Sequence, residues 1–568
     1  MHLFASFLLL GAAAAAQAQS CAHSICGPYQ AVMSACSSGM PSGSGCLNTN
    51  NVGFYTTKPA TGSFDKSFEG IDSCAVTNSE CEKSAPYDID PNGSVGHYQF
   101  LQSLNVVVQA WDKTTGKGIF SSSKNGKADA QPTGKPFSSK LGTHCGSPGG
   151  DILSMYDHLD ERFLIAFKAR WTGPNGVNHY SWCIAVSTQD DLYGGGVSHW
   201  SVYDFVLDGV LPTDSNNANN YYVPDYPKLG TWNDGNFYVS WDLLSPVNYQ
   251  IYGSEICSVD RTAMVAGNAA NPMICYVYWP PGQTGGNWNP GTVFSLIHTI
   301  LPADIESASA QPPAGRSPLF LAIVNPNNGD GAPCKVAPCT SNQLALWSWS
   351  SFSAEQAPAS VRVEQYTPGC YDPNVTYNTV CVNEPGGYRV DSVGDRLMHR
   401  LIYRNFGSSS RPSGEILAAT HTVKDPTTGH ENIRYYWLQL TGENSASVLD
   451  YGNLHSSKLS FFMPSMAFDK KGNLGVIYSS SGGCTEADCY PALYYNKIRY
   501  LQPSQPAALI KQGTAEVRTS QGLWGDYFGA GIDPADDSTF WGTGEYFDKN
   551  ETGTLTTWQT RVVKMPME

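Results

Sequence analysis

The sequence predicts an all-β protein: a β-propeller of seven blades preceded by a disulfide-rich N-terminal extension. Three observations carry this. Short runs rich in Val, Ile, Tyr, Phe and Trp are separated by Gly, Asn, Asp and Pro along most of the chain; one strand, tight turn and strand plan recurs; and no long helical periodicity interrupts it.

The recurring plan is clearest in four segments. They read GDILSMYDHLDERFLIAF from Gly150, PDYPKLGTWNDGNFYVSW from Pro224, PSMAFDKKGNLGVIYS from Pro464 and WGDYFGAGIDPADDSTFWGTGEY from Trp524. Their turns, Asp157 to Glu161, Asn233 to Asn236, Asp469 to Asn473 and Asp533 to Asp537, occupy one place in each unit and read as hairpins. Three looser segments begin at Gly96, Ser317 and Gly394. Tyr98, Asp151, Asp225, Ser317, Asp395, Ser465 and Asp526 then mark the starts of seven units, each long enough for a four-stranded sheet. One such sheet cannot bury both faces alone, whereas sheets packed radially around an axis can. Tandem β-sandwiches are the alternative, and they predict shorter, less regular units without a common start.

Composition narrows the classes of function. With 568 residues, 41% hydrophobic and 15% charged, the chain builds a large core, which excludes disorder and a coiled coil. A net charge of −15 repels phosphate backbones and anionic headgroups, so nucleic acid is not an expected partner. The apolar run Leu3 to Ala16 is too short to span a bilayer, and Ala16-Gln17-Ala18 supplies the small residues of a cleavage site. Residues 1–18 therefore read as a signal peptide, 19–90 as a Cys-, Ser- and Gly-rich extension or cap, and 91–568 as the propeller of a secreted, extracellular protein without membrane insertion. A small carbohydrate-binding knot is the other reading of 19–90.

The 16 cysteines of an exported chain read as disulfides, with Cys74 and Cys81, Cys334 and Cys339, Cys370 and Cys381, and Cys484 and Cys489 as close neighbours. The absence of any C-x-x-C pair argues against a metal cluster. Sequons at Asn92, Asn374 and Asn550 mark possible glycoprotein sites.

In a propeller the first strand of each unit lines the channel, so Asp151, Asp225, Asp395 and Asp526 are expected to face one mouth. Close carboxylates perturb one another as acid/base pairs require, although an Asp before a strand also serves as a plain backbone tie. Arg396 and Tyr527 join them as substrate-orienting or proton-transferring candidates. Tyr98, Tyr226 and Trp524 are candidates for a sugar-stacking floor, with Trp541 and Tyr546 expected to pack between blades. His399 and His421 fit either packed or solvent-facing positions. No serine-hydrolase, zincin, Walker or dinucleotide signature is present, so no cofactor is identified. The Asp533 to Asp537 turn offers oxygens for Ca²⁺, but it lacks the EF-hand spacing and reads better as a hairpin.

These segments, with CIAVS at Cys183, LPAD at Leu301, PPAG at Pro312, GDRLMHRLIYRNFG from Gly394 and HTV at His421, resemble a large, mostly uncharacterised group of secreted bacterial β-propeller proteins. The resemblance covers roughly residues 90–565 and implies a secreted propeller, but no particular reaction. That group usually carries an Asn-His pair in its first inner strand; here Tyr98-Gln99 stands instead, so no role is carried over to it. The functional expectation is a carbohydrate-active enzyme, a glycoside hydrolase or polysaccharide lyase, acting at the channel mouth on an extracellular polysaccharide or glycan. The alternative is a non-catalytic scaffold that binds glycan or protein there.

Overall fold

The computed structural model describes residues 67–72 and the greater part of 89–567. Residues 1–66, 73–88, 121–130, 133–143, 194–198, 208–221, 247–250, 279–296, 325–340, 371–379, 518–521 and 550–555, with a few shorter breaks, lie outside that description. The signal peptide at 1–18, most of the 19–90 extension, Cys74, Cys81, Cys334, Cys339 and the sequons at Asn374 and Asn550 fall among them.

Strand follows strand along the described chain. β1 (Ser67–Asp72) precedes a first sheet of β2 (Asn92–Val95), β3 (Gln99–Leu104), β4 (Val107–Asp112) and β5 (Gln131–Pro132). The next sheet is β6 (Leu153–Asp157), β7 (Arg162–Thr172), β8 (Asn178–Ser187) and β9 (Trp200–Val206), followed by β10 (Val223–Thr231), β11 (Asn236–Leu244), β12 (Ile251–Asp260) and β13 (Ile274–Tyr278). β14 (Leu301–Ile305), β15 (Leu319–Ile323), β16 (Ser341–Ser348) and β17 (Ala359–Pro368) come next, then the small ribbon of β18 (Val380–Asn383) and β19 (Arg389–Asp391). β20 (Leu401–Phe406), β21 (Gly414–Lys424), β22 (Glu431–Gly442) and β23 (Ser445–Leu454) form another antiparallel run, joined to the β14 run by parallel β14–β20 pairing. β24 (Ser460–Phe468), β25 (Leu474–Ser481), β26 (Ala492–Ile498) and β27 (Ala508–Gln512) make one more sheet, and β28 (Gly529–Ile532), β29 (Thr539–Lys549) and β30 (Thr556–Pro566) begin the last.

The first strand of each run packs against the first strand of the next, from β2 through β6, β10, β14, β20 and β24 to β28, and β28 packs back against β2. Sheets in a closed circuit with their first strands innermost form a β-propeller. Burial follows the radius. β2, β6, β10, β14 and β28 are buried along their whole length, whereas the outermost strands β13, β23 and β27 are mostly half-buried or exposed. Middle strands are covered on both faces by neighbouring sheets, so β7 is buried continuously from Phe163 to Ala169 and reads as an apolar run instead of an alternation. Tandem sandwiches offer no such circuit. At its closing point β28 comes so near β2 that a Cβ on Gly529 would lie 2.1 Å from the backbone nitrogen of Gly93, which is why glycine stands there.

The circuit is sealed by β1, which pairs antiparallel with β30 from Ser67↔Val563 to Asp72↔Gln559 and completes the last sheet. This corrects the boundary at residue 90, because part of the 19–90 extension is an integral strand. A buried polar node backs the seal. Gln102 accepts from the Ile71 N–H at 3.0 Å and from the Trp111 indole at 3.1 Å, and donates to Thr543 at 2.7 Å and Thr560 at 2.9 Å. Removing residues 1–72 is expected to lower the melting temperature by about 5 °C or more, because the β30 edge and this node lose their partners. An unchanged thermal melt of the truncated chain would show that β1 does not close the ring.

The four hairpins lie where the sequence places them. Two unit starts do not. Tyr98 lies in the turn between β2 and β3, and Ser317 precedes β15, so those units begin at β2 and β14 instead. Cys370–Cys381 and Cys484–Cys489 are bonded as their spacing predicts, Cys145 in the turn before β6 bonds Cys183 on β8, and Cys257 on β12 bonds Cys275, its partner on the adjacent β13. Asn92 is fully buried in β2, with its side-chain oxygen accepting from Ser154, so its sequon is not open to a glycan in the folded chain. The Asp533 to Asp537 turn is a hairpin whose acids are engaged by the protein. Asp533 takes Lys113 and the Trp541 indole, Asp536 takes Thr539, and Asp537 takes Arg404, so the Ca²⁺ reading gives way.

Candidate functional site

At the end of the channel where the first strands begin, each strand is entered by a short loop that turns down into the ring. Asp90, Asp151, Thr299 and Val393 stand in such loops, and Tyr226 and Met463 at bulges inside β10 and β24, all with left-handed backbones, φ between 44° and 54°. Non-glycine residues adopt that conformation at a cost of about 1 kcal/mol or more, so the surrounding contacts must hold them there. These loops bring residues far apart in sequence to one mouth.

Asp90 is the hub on one side. Its carboxylate accepts from the Asp526 N–H at 2.6 Å and from Asn105 at 2.7 Å, while the Asn105 side-chain oxygen accepts from the Asp151 N–H at 2.8 Å. Lys168, from the middle of β7, reaches Asp151 at 3.1 Å and forms a short ion pair with Asp225. Burial, opposed by Lys168 and reinforced by Asp225 and Asp90, pushes the Asp151 carboxyl up to about 7. Its Oδ1 is buried without a hydrogen-bond donor. Lys168 is held above the ordinary lysine value because Asp225 and Asp151 together outweigh its burial.

Two tyrosines floor the mouth. The rings of Tyr226 and Tyr527 lie 5.1 Å apart; Tyr226 donates to the Asp526 carbonyl at 3.3 Å, and Tyr527 donates to the Pro227 carbonyl at 3.2 Å. Lys228, 1% exposed, puts its ammonium 3.1 Å from the Tyr226 ring centre and 4.3 Å from that of Tyr527, while donating to the carbonyls of Tyr226 and Pro227. Burial holds the Lys228 pKa well below the ordinary value, with Arg396 adding to the effect. His399, also buried and kept neutral by burial and by Lys228, stands edge-on to Tyr527.

The opposite side is built around Arg396, whose guanidinium grips both oxygens of Asp395 at 2.7 and 3.0 Å and covers the Tyr226 ring at 4.7 Å. His298 bridges Asp395 at 3.7 Å and Asp242 at 3.6 Å. Burial alone would raise the Asp395 carboxyl, but Arg396 and His298 outweigh it and hold it below the usual carboxylate range. Asp242, backed by His298 and Ser254, is held at about 2 against its burial. Asp526 moves the other way. Burial, then the negative charges of Asp90, Asp391 and Asp151, lift it well above the ordinary value despite Arg396. Asp526 and Arg396 are the partly exposed members, so they meet whatever enters the mouth. Farther along the same strands, Arg400 pairs with Asp304 at 2.8 Å and Glu306 at 2.5 Å and lines a cavity with Ser154, Tyr156 and His158.

Of the residues singled out from sequence, Asp151, Asp225, Tyr226, Asp395, Arg396, Asp526 and Tyr527 meet at this mouth. Tyr98 and Trp524 do not join them. Tyr98 is 43% exposed at the far end of β2, and Trp524 is 2% exposed, packed between Phe462 and Phe547. Trp541 packs between sheets against Phe100, and His421 is buried against Tyr436 and Tyr366. Sequence reading missed Asp90, Lys168, Lys228, Asp242 and His298. For the two lysines a signal existed: each interrupts a run of uncharged residues within its strand, FLIAFKA and YPKLG.

No protein-family model matches the chain, and no curated protein sequence matches it. Among solved structures it is similar to a polysaccharide lyase, Uly1, at 9% identity and a TM-score of 0.37, covering 91% of this chain and 100% of that one. It is also similar to the endosialidase of phage phi92 at 10% identity and a TM-score of 0.36, covering 72% and 66%, and to an α-L-arabinanase of Penicillium chrysogenum at 9% and 0.32, covering 63% and 96%. At these scores the fold and the site rest on the chain's own geometry. Among the described residues no helix is long and apolar enough to cross a membrane.

Proposed function

We propose that this chain is a secreted, seven-bladed propeller enzyme that hydrolyses a glycan at the mouth where its first strands begin. The single observation behind this reading is that one mouth holds two carboxyl groups pushed in opposite directions, Asp526 upward by burial and neighbouring acids, and Asp395 downward by its pairing with Arg396. Glycosidic bond cleavage needs that division: a protonated acid for the leaving oxygen and an ionised carboxylate for the sugar carbon or its attacking water. Asp526 is the donor, Asp395 the ionised partner and Arg396 the group that fixes Asp395, while Tyr226 and Tyr527, buried and covered by Lys228 and Arg396, support the mouth from beneath and are not the sugar-stacking floor the sequence suggested. Asp151 and Asp225 are occupied by Lys168 and serve as its counter-ions. The acid-rich mouth and the net charge of −15 favour a neutral or basic glycan over a polyanion. Disulfides in the fold support an oxidising compartment outside the cell. The segments quoted above support membership of the secreted bacterial propeller group.

Incubation of the secreted protein with a panel of neutral, basic and acidic polysaccharides tests this reading, followed by reducing ends, by the ultraviolet absorbance of unsaturated uronates and by pull-down. New reducing ends without absorbance are the expected result. Unsaturated products would replace hydrolysis with elimination, in which Tyr527 carries the proton and Arg396 must leave Asp395 for the uronate; binding without products would make the mouth a scaffold.

The rate is expected to peak between the two titrations. It falls in acid as Asp395, held below the usual carboxylate range, takes up its proton, and it falls in alkali as Asp526, held above that range, loses its own. A kcat/KM profile with no alkaline limb would remove Asp526 as the donor.

A further inference from the structure

At the opposite end of the first strands, three side chains from three separate loops converge. His97 comes from the β2–β3 turn, Glu161 from the β6–β7 turn and Asp190 from the loop after β8. One donor atom from each lies within 4.8 Å of the other two. His97 Nδ1 and Asp190 Oδ2 are 3.1 Å apart. Two donors that share a tetrahedral zinc ion at about 2.0–2.2 Å stand about 3.3–3.6 Å apart, so this pair, now at hydrogen-bond distance, has to open by only a few tenths of an ångström to admit the ion. Glu161 is exposed, and its side chain closes the remaining gap by rotation.

Two features separate this group from a casual surface cluster. Tyr156, 3% exposed on β6 and packed edge-on against Phe163, donates to Asp190 Oδ1 at 2.7 Å, the oxygen other than the one beside His97, so a core side chain orients that carboxylate through its second oxygen. Such support behind the donors is what orients metal ligands. The charge is also incomplete: two carboxylates face one imidazole, and neighbouring Arg162 gives its guanidinium to the backbone carbonyls of Asp160 and Glu161. We propose that His97, Glu161 and Asp190 form a binding site for a divalent transition metal, zinc foremost, that clasps the first two sheets of the ring at the end away from the glycan mouth. One nitrogen and two oxygens with an open fourth position suit zinc, whereas calcium and magnesium prefer oxygen alone. The clasp makes no use of the glycan reading and stands or falls separately from it.

The test uses untagged full-length protein stripped with chelator, titrated calorimetrically with zinc chloride and, in parallel, manganese and calcium chlorides. Each mixture is also melted thermally. One equivalent of zinc is expected to bind and raise the melting temperature by about 2–5 °C, with calcium far weaker. His97→Ala, Asp190→Asn and Glu161→Gln are each expected to weaken zinc binding by about tenfold or more, whereas His179→Ala on the far side of the second sheet leaves it unchanged. If the His97 or Asp190 variant fails to fold, Glu161→Gln decides the matter, since Glu161 is exposed and its loss leaves the core intact. Absence of zinc binding by the stripped protein overturns the proposal, as does equal binding by all three variants or loss of binding in His179→Ala.

Discussion

Asp526→Asn is expected to lower kcat by about a thousandfold while leaving the melting temperature unchanged or slightly higher. The two halves of that outcome come from one cause. Burial, and then the neighbouring Asp90, Asp391 and Asp151, raise the Asp526 carboxyl well above the ordinary value and so favour its neutral form. An amide has nearly the same shape, keeps a donor in place of the acid proton and brings no charge into that negative environment, so the fold loses nothing. What disappears is the transferable proton. The backbone N–H of Asp526 still bonds Asp90, and that of Gly525 still bonds Glu545 at 2.7 Å, so the loop stays where it is. Reducing-end assays paired with thermal melts read both halves. A variant that keeps full activity removes Asp526 from the chemistry, and a collapse of the melt makes it a structural tie.

Lys168→Met is expected to destabilise the protein by about 3–5 kcal/mol, the usual cost of leaving buried carboxylates without their cation. Lys168 is the shared counter-ion of Asp151 and Asp225, which are 2% and 4% exposed. Methionine fills its volume but leaves two acids facing each other in the interior. The defect has a sign in pH. The Asp151 carboxyl is already raised to about 7 with Lys168 present, and its loss raises it further. Above the ordinary aspartate value the folded variant therefore holds a proton on Asp151 that the unfolded chain has released, so its stability falls as pH rises towards that raised value and recovers in acid, where Asp151 is neutral in either state. Urea unfolding at mildly acidic and at neutral pH separates the two conditions. An equal loss at both, or none at neutral pH, would show that the lysine is not the counter-ion.

Much of the architecture was legible because hairpins announce themselves locally. Asn233-Asp234-Gly235 and Lys471-Gly472-Asn473 set turn chemistry between runs of strand formers, and the strands on either side follow. The unit starts at β2 and β14 were not, because NGSV and LPADI have poor intrinsic strand preference and are held in the ring by their neighbours. Tyr98 was misplaced for that reason: the strong strand signal belongs to β3, so the weak inner strand before it passed unnoticed. At the mouth, an acid heading a strand was enough to find Asp151, Asp225, Asp395 and Asp526. Asp90 was hidden by the extension, and His298 and Asp242 act through partners that no spacing rule connects. Lys168 and Lys228 face inward only because acids and aromatic rings from other sheets receive them, and that is a property of the closed circuit, not of any single segment.

The pairing of β1 with β30 also fixes an order of events. Every sheet of the ring lies between Ser67 and Val563 in the chain, so the ring cannot be sealed until β30 has been made. Until then, an unfinished sheet keeps an open edge. A growing chain that lacks β30 therefore holds an open ring, and the two ends of the circuit meet only when that strand is in place.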